Sequence, residues 1–252
     1  MTYVLRSLAV SDPGLVRPNN EDVAFAGNRL IAVADGMGGA PAGEVASEIA
    51  ISSLAPVERS APGAEPVTAL LDAIGAANTR IRAVTDADQA TEGMGTTVTA
   101  MLLAGRRLAV AHVGDSRGYL LRSGSLSQLT RDDTFVQALV DQGGLTPEEA
   151  RRHPQRSLVT RVLQGGPLAP ATVALIAQPG DRLLLCSDGL SDVVDDDSIA
   201  ATLVGFPDRE ECARQLVKLA HQAGAPDNVT LVLADVVPAV DPETSTAGIE
   251  PA

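Results

Sequence analysis

Tryptophan is absent from the 252 residues, and tyrosine and phenylalanine occur only two and three times. So few rings exclude stacking on bases or sugars as the main mode of binding. The core is left to Val, Leu, Ile and Ala. Lysine occurs once, at Lys218, and Lys plus Arg number 19 against 32 Asp plus Glu, a net charge of −13. That balance argues against nucleic acid or an anionic membrane surface as the main partner. It fits a solubilising acidic surface, and equally a set of carboxylates that hold cations. The only two cysteines, Cys186 and Cys212, lack the C-x-x-C spacing of a metal site. Both sit among apolar residues and read as buried thiols, which suits a reducing cytosol. No apolar run reaches the roughly 20 residues of a spanning helix, and the N-terminus lacks the charged-then-apolar pattern of a secretion signal. The expectation is a cytoplasmic protein with no membrane insertion by this chain.

What is present is a globular composition, 45% hydrophobic and 20% charged, so disorder is excluded for the bulk of the chain. The length favours one large domain with a full core. Val67, Leu70, Leu71, Ile74, Ala77, Ile81 and Val84 share one stripe and predict a helix over 66–84. A looser stripe predicts a helix over 43–55, and Pro207-Asp208 opens another over 207–223. Thr146-Pro147-Glu148-Glu149 is a capping box with proline at the first helical position. It starts a short helix ending near His153-Pro154. Strands are predicted over 30–34, 96–104, 107–113, 117–122, 126–129, 181–187 and 229–236. Gly114-Asp115-Ser116 reads as a hairpin turn between two of them, and Ser123-Gly124 as another turn. Hairpins favour antiparallel sheets, and the grouping of strands and helices favours an α+β fold. The span from about 132 to 166 interrupts the strands and reads as an insertion over one edge. Residues 238–252 read as a disordered tail, which leaves a domain over 1–237.

One pattern recurs: an apolar strand ends and an Asp beside a Gly follows. Val33-Ala34-Asp35-Gly36, Val113-Gly114-Asp115-Ser116 and Leu185-Cys186-Ser187-Asp188-Gly189 are three cases, and Asp227-Asn228-Val229 is the mirror case. A single case is an ordinary turn. Four cases place several carboxylates on rigid sheet rims without Lys beside them, where divalent cations would relieve their repulsion. Hard oxygen ligands suit Mg²⁺ or Mn²⁺; scarce His and the lack of a Cys cluster disfavour zinc. Near the N-terminus, Arg17-Pro18-Asn19-Asn20-Glu21-Asp22 sets a guanidinium fork, which matches phosphate, near an acidic pair. Taken alone, that segment reads first as a solvated turn.

Together these segments resemble the metal-dependent serine/threonine protein phosphatases of type 2C, the PPM family, in their bacterial form. The resemblance rests on Arg17 to Asp22, Val33-Ala34-Asp35-Gly36-Met37-Gly38-Gly39, Gly93-Met94-Gly95-Thr96-Thr97, Val113 to Arg117, Cys186 to Leu190, and Gly224 to Thr230, in the family's order. It covers about residues 5 to 237 and looks close to the actinobacterial branch that opposes Ser/Thr protein kinases. It implies an α-β-β-α sandwich of two antiparallel sheets flanked by helices. It implies that Asp35 bridges two Mn²⁺ or Mg²⁺ ions, that Gly36 offers its carbonyl, and that Asp188 and Asp227 complete the second ion. Glu21 would act on the first ion through water, with Asp22 and Asn228 supporting the shell. Asp115 with Asp188 would hold a weaker third ion, and Arg17 would bind the substrate phosphate. The 132–166 insertion would be the family's flap. The implied reaction is attack on phosphoserine or phosphothreonine by a hydroxide shared between ions. Phosphorylated proteins, Ser/Thr protein kinases among them, would be the partners of a monomeric enzyme.

Two departures stand out. Met37 occupies a position where eukaryotic relatives often carry a His proposed as general acid, and Met cannot donate a proton. The flap segment often ends Arg-Ala-Leu-Gly-Asp in the family; here it reads Arg161-Val162-Leu163-Gln164-Gly165-Gly166. A catalytically silent phosphoprotein-binding relative is one alternative, disfavoured by the four retained aspartates. A phosphatase for anti-sigma-factor antagonists is another, disfavoured by the intact Arg17/Glu21 segment. A soluble cytosolic enzyme and the cytosolic domain of a membrane-anchored protein both fit.

Overall fold

The apolar runs of the sequence are strands covered on both faces, which is why they do not alternate. The computed structural model describes residues 2–38, 42–59 and 65–239. In β10 (Arg182–Cys186), Leu183 and Leu185 enter the core between two sheets, while Leu184 and Cys186 pack under helices on the other side. In β3 (Leu30–Met37), Ile31 and Val33 face the same inner core, and Leu30, Ala32 and Ala34 face the opposite helical layer. The period of two thus sorts each strand between two cores.

One sheet runs β1 (Tyr3–Asp12), β11 (Val229–Pro238), β10, β7 (Arg117–Arg122), β8 (Ser125–Gln128). The other runs β2 (Asp22–Ala26), β3, β5 (Val98–Ala104), β6 (Arg107–Val113), β9 (Ala171–Ile176), with β4 (Gly95–Thr96) on the end of β3. Every pairing is antiparallel. Helices α1 (Ala42–Leu54) and α2 (Pro66–Ala87) cover the second sheet. The short α5 (Asp188–Ser191), α6 (Asp196–Gly205) and α7 (Arg209–Gln222) cover the first. The expected α-β-β-α sandwich is what the chain forms.

Between β8 and β9 lie α3 (Phe135–Asp141) and α4 (Pro147–Arg152). The capping box of α4 is complete, Thr146 and Glu149 each bonding the other's backbone N–H. The Ser123-Gly124 turn has two successive positive φ angles, 52° and 81°, which match the twist of the β7–β8 hairpin.

The hairpin expected around Gly114-Asp115-Ser116 does not form. β6 pairs with β5 and β9, whereas β7 pairs with β10 and β8, so this turn carries the chain from one sheet to the other. Gly114 has φ 110°, and a Cβ there would press on the Thr97 side chain, so the crossing needs glycine. The helical character that the sequence gives the 132–166 span fits α3, whereas strands β1, β2 and β9 and helices α5 and α6 have no counterpart in the sequence reading. Pro238 still belongs to β11, and the rest of the expected tail from 240 onward lies outside the described residues.

Ile74 is fully buried between α2 and the second sheet. Ile74→Ala is expected to lower the unfolding free energy by about 2–5 kcal/mol, read by chemical denaturation; a loss under 1 kcal/mol would contradict this packing.

Candidate active site

The carboxylates singled out in the sequence meet at one end of the sandwich. Glu21, Asp35, Asp115, Asp188 and Asp227 all line one cavity of about 550 Å³, with Arg17, Gly36 and Asn228. Asp22 lies behind this wall, buried.

Asp35 sits near the end of β3, paired in register with Asp22 of β2. Its backbone is clamped by its neighbours. Thr97 N–H donates to the Asp35 carbonyl at 2.8 Å, Thr96 Oγ1 donates to the same carbonyl at 2.9 Å, and Asp35 N–H donates to Thr97 Oγ1 at 3.1 Å. Gly36 follows because nothing larger fits: a Cβ there would collide with the Gly43 carbonyl at the start of α1. Asp188 opens α5 directly after β10, and a Cβ on Gly189 would collide with the Asn228 carbonyl.

Asn228 ties the N-terminal segment to the start of β11. Its Oδ1 accepts from Glu21 N–H at 2.9 Å, and its Nδ2 donates to the carbonyls of Asn19 at 2.7 Å and Pro13 at 3.0 Å. The Glu21 carbonyl accepts from Gly36 N–H at 3.2 Å and Ser47 Oγ at 2.6 Å. Arg17 Nη2 donates to Asp227 Oδ2 at 2.7 Å across the cavity mouth.

Crowding of like charges shows in the acidities. Burial first, then Asp22, Asp188, Asp115 and Asp227, drives Asp35 well above the usual carboxylate range. Burial and then Asp115, Asp192 and Asp227 do the same to Asp188. Burial raises Asp22 to about 7 against the hydrogen bond from Ser187, and raises Asp115 to about 7 with help from Asp132 and Asp192.

The donor set fits hard divalent cations. It is all oxygen, and Asp22 Oδ1 is buried with no hydrogen-bond partner. No three His, Cys, Asp or Glu among the described residues converge as a ready-made metal cage. Ions here would therefore take one or two carboxylates each and complete their shells with water, the habit of Mg²⁺.

Three polar lining residues escaped the sequence reading. Asp192 lies one helical turn beyond Asp188, an i,i+4 spacing that could have marked it. Arg156 and Ser157 come from the insertion, and Ser157 Oγ donates to Asp192 Oδ2 at 3.3 Å. No sequence signal marks these two. His112 stays out of the cavity, buried with Nδ1 2.8 Å from Thr99 Oγ1.

The sequence pattern of protein phosphatase 2C matches residues 19–227. The chain belongs to the protein phosphatase 2C family. Serine/threonine protein phosphatase PstP of Mycobacterium tuberculosis is 54% identical over 237 residues, 94% of this chain and 46% of that protein. The chain thus spans about half the length of this relative. Serine/threonine phosphatase stp of Listeria welshimeri is 34% identical, covering 89% of this chain and 93% of that protein. The catalytic domain of PstP, solved in complex with two manganese ions, superposes with a TM-score of 0.89 at 52% identity, covering 94% of this chain and 100% of that one. No helix among the described residues is long and apolar enough to cross a membrane.

The raised pKa values have a consequence for stability. An unfolded chain loses carboxylate protons near pH 4, whereas folded Asp22 and Asp115 keep theirs to about 7. Their contribution to the metal-free fold is therefore complete below about pH 4 and lost above about pH 7. With chelator present, calorimetry should show Tm falling by about 3–8 °C between pH 5 and 8, and Mn²⁺ should raise Tm most at pH 8. A chelated Tm that rises over this range would contradict the burial of these acids.

Proposed function

We propose that this chain is a metal-dependent phosphoprotein phosphatase that hydrolyses phosphoserine and phosphothreonine, reversing Ser/Thr protein kinase signalling. The observation that carries this reading is the convergence of Glu21, Asp35, Asp115, Asp188 and Asp227 on one cavity with Arg17 at its mouth. Residues 1–237 form the catalytic unit and 132–166 its flap. The family membership and the manganese-bound relative support the same chemistry.

In this reading Asp35, with the Gly36 carbonyl, Asp188, Asp227 and Glu21, holds two Mn²⁺ or Mg²⁺ ions, and Asp115 with Asp188 holds a weaker third. Bound ions would supply hydroxide near neutral pH and offset charge on the phosphoryl oxygens. Asp22 and Asn228 fix the shell from behind. The Arg17 guanidinium exchanges Asp227 for two phosphoryl oxygens and keeps the phosphate in line. Met37 lines the cavity and cannot donate a proton, and no imidazole lines it among the described residues, so the leaving alkoxide would take its proton from water or another group. The partners are phosphorylated proteins, Ser/Thr protein kinases among them. The catalytic unit works as a cytosolic monomer.

The test is phosphate release from a phosphothreonine peptide with Mn²⁺ and with EDTA. Release should require the metal, and Asp35→Asn or Asp188→Asn should reduce it at least about 100-fold without unfolding the protein. Asp115→Asn should cost less, with the two tighter ions retained in calorimetry. Arg17→Ala should raise KM about tenfold or more. Wild-type turnover by Asp35→Asn or Asp188→Asn would refute the assignment.

A further inference from the structure

Six large apolar side chains stand exposed among the described residues: Leu15, Val16, Leu158, Val173, Ile176 and Val204. Three of them flank the cavity in the chain. Leu15 and Val16, 61% and 68% exposed, directly precede Arg17 at its mouth. Leu158, 49% exposed, sits between Ser157 and Val159, which line the cavity from the insertion.

The backbone that carries them is tied down at Gly14, Leu15 and Leu158. Gly14 N–H donates to Asp12 Oδ1 at 2.8 Å, and Leu15 N–H donates to the Ala225 carbonyl at 2.9 Å. A Cβ on Gly14 would collide with the Asp227 carbonyl, so the loop is pressed against the segment that carries Asp227. On the insertion, Leu158 N–H donates to the Gln155 carbonyl at 3.2 Å and its carbonyl accepts from Phe135 N–H at 2.9 Å. Pinned backbone with aliphatic side chains in water is costly for a surface that touches nothing.

The polarity of the cavity says what would cover them. Its acids and Arg17 provide for a phosphate, whereas Pro18, Val159, Val193 and Pro226 make much of the remaining lining apolar and uncharged. We infer that Leu15, Val16 and Leu158 form an apolar rim, continuous with the phosphate site, that recognises phosphorylated protein segments carrying a large aliphatic residue next to the phosphoamino acid. The inference rests on the phosphatase reading. It adds that selectivity among phosphoproteins comes from an aliphatic neighbour. Leu or Val beside the phosphoresidue would cover the exposed rim, which Ser or Gly there would leave in water.

The experiment compares two phosphothreonine peptides, one flanked by Leu and Val and one by Ser and Gly, with p-nitrophenyl phosphate as a substrate too small to reach the rim. All three are assayed with Mn²⁺ on wild type, on Leu15→Ser/Val16→Ser and on Leu158→Ser. Wild type should favour the aliphatic peptide about tenfold in kcat/KM. The rim variants should bring the two peptides to within about twofold and leave the small substrate unchanged. Equal kcat/KM for the two peptides in wild type, with the small substrate turned over normally, would overturn the rim while leaving the phosphatase reading intact. Turnover of none of the three would refute the phosphatase reading, and the rim with it. Sedimentation closes the remaining route: a wild-type dimer that Leu15→Ser/Val16→Ser dissociates would assign the patch to a second copy of this chain and overturn the inference.

Discussion

Electrostatic repulsion among carboxylates fixed around one cavity is the constraint on which this molecule turns. Glu21, Asp35, Asp115, Asp188, Asp192 and Asp227 all face the same space. At an effective dielectric constant near 20, two like charges 4 Å apart cost about 4 kcal/mol, so these groups cannot all be ionised together without compensation. The fold keeps them together because each is attached to something that cannot retreat. Asp35 lies near the end of β3 and Asp115 follows β6 of the same sheet, while Asp188 follows β10 of the other sheet and Asp227 precedes its neighbour β11. Moving any one acid away would mean shearing a sheet whose two faces are packed. In the metal-free chain burial first, and repulsion after it, favours proton uptake by Asp35, Asp188, Asp22 and Asp115, whose pKa values are all raised, and Asp227 pairs with Arg17.

The two sides of the cavity are built differently. The floor is held by backbone hydrogen bonds and close approach: the Thr96/Thr97 clamp on Asp35, the Asn228 knot across residues 13–21, and glycines at 36 and 189 where a Cβ would collide. Where the insertion reaches the cavity it meets the body through arginine–aspartate pairs, Arg151 to Asp196 at 3.5 Å and Arg156 to Asp192 at 3.9 Å, each with an arginine nearly half exposed, while its two ends are tied down by the buried pair of Arg117 with Asp132 at 2.7 Å and by reciprocal backbone bonds between Leu163 and Thr96 at 2.9 and 3.1 Å. Exposed pairs of this kind are weak and screened by salt. The arrangement therefore joins a rigid floor to an insertion that is fixed at its ends and more weakly paired at Arg151 and Arg156.

The sequence displays the site better than it displays the fold around it. Asp35, Asp115, Asp188 and Asp227 are legible because a buried strand announces itself as an apolar run, and an acid with glycine at its end is a visible break. The long stripe of α2 and the capping box of α4 are legible for equally local reasons. β9 is not, since it is an edge strand with mostly exposed side chains and no alternation to read. β1 pairs only with β11 and mixes polar with apolar residues. α6 begins in the run Asp195-Asp196-Asp197, which looks like a solvated loop until Asp195 is seen capping Ser198 N–H at 2.7 Å. The false hairpin at Gly114-Asp115-Ser116 has a physical lesson. Two strands joined by a short turn normally pair, and only long-range packing reveals that β6 and β7 belong to different sheets. Arg156 and Ser157 reach the cavity through the same kind of long-range packing, which no spacing encodes.

The charge around the cavity also fixes an order of events. Arg17 and Arg156 are the cations that line it, against six carboxylates, and Arg17 is already engaged by Asp227 at 2.7 Å. A phosphate dianion entering this space would add two negative charges to a surplus that the chain already struggles to hold, and would have to take Arg17 from a partner that binds it well. On the proposed reading, divalent cations would change both conditions at once: they would neutralise the floor, and by drawing on Asp227 they would weaken its hold on the guanidinium. Cation and phosphate binding would then be linked with positive sign, each raising affinity for the other by the same factor. The acids that crowd the cavity would make its affinity for phosphate conditional on cations, with Arg17 a counter-ion before they bind and a phosphate ligand afterwards.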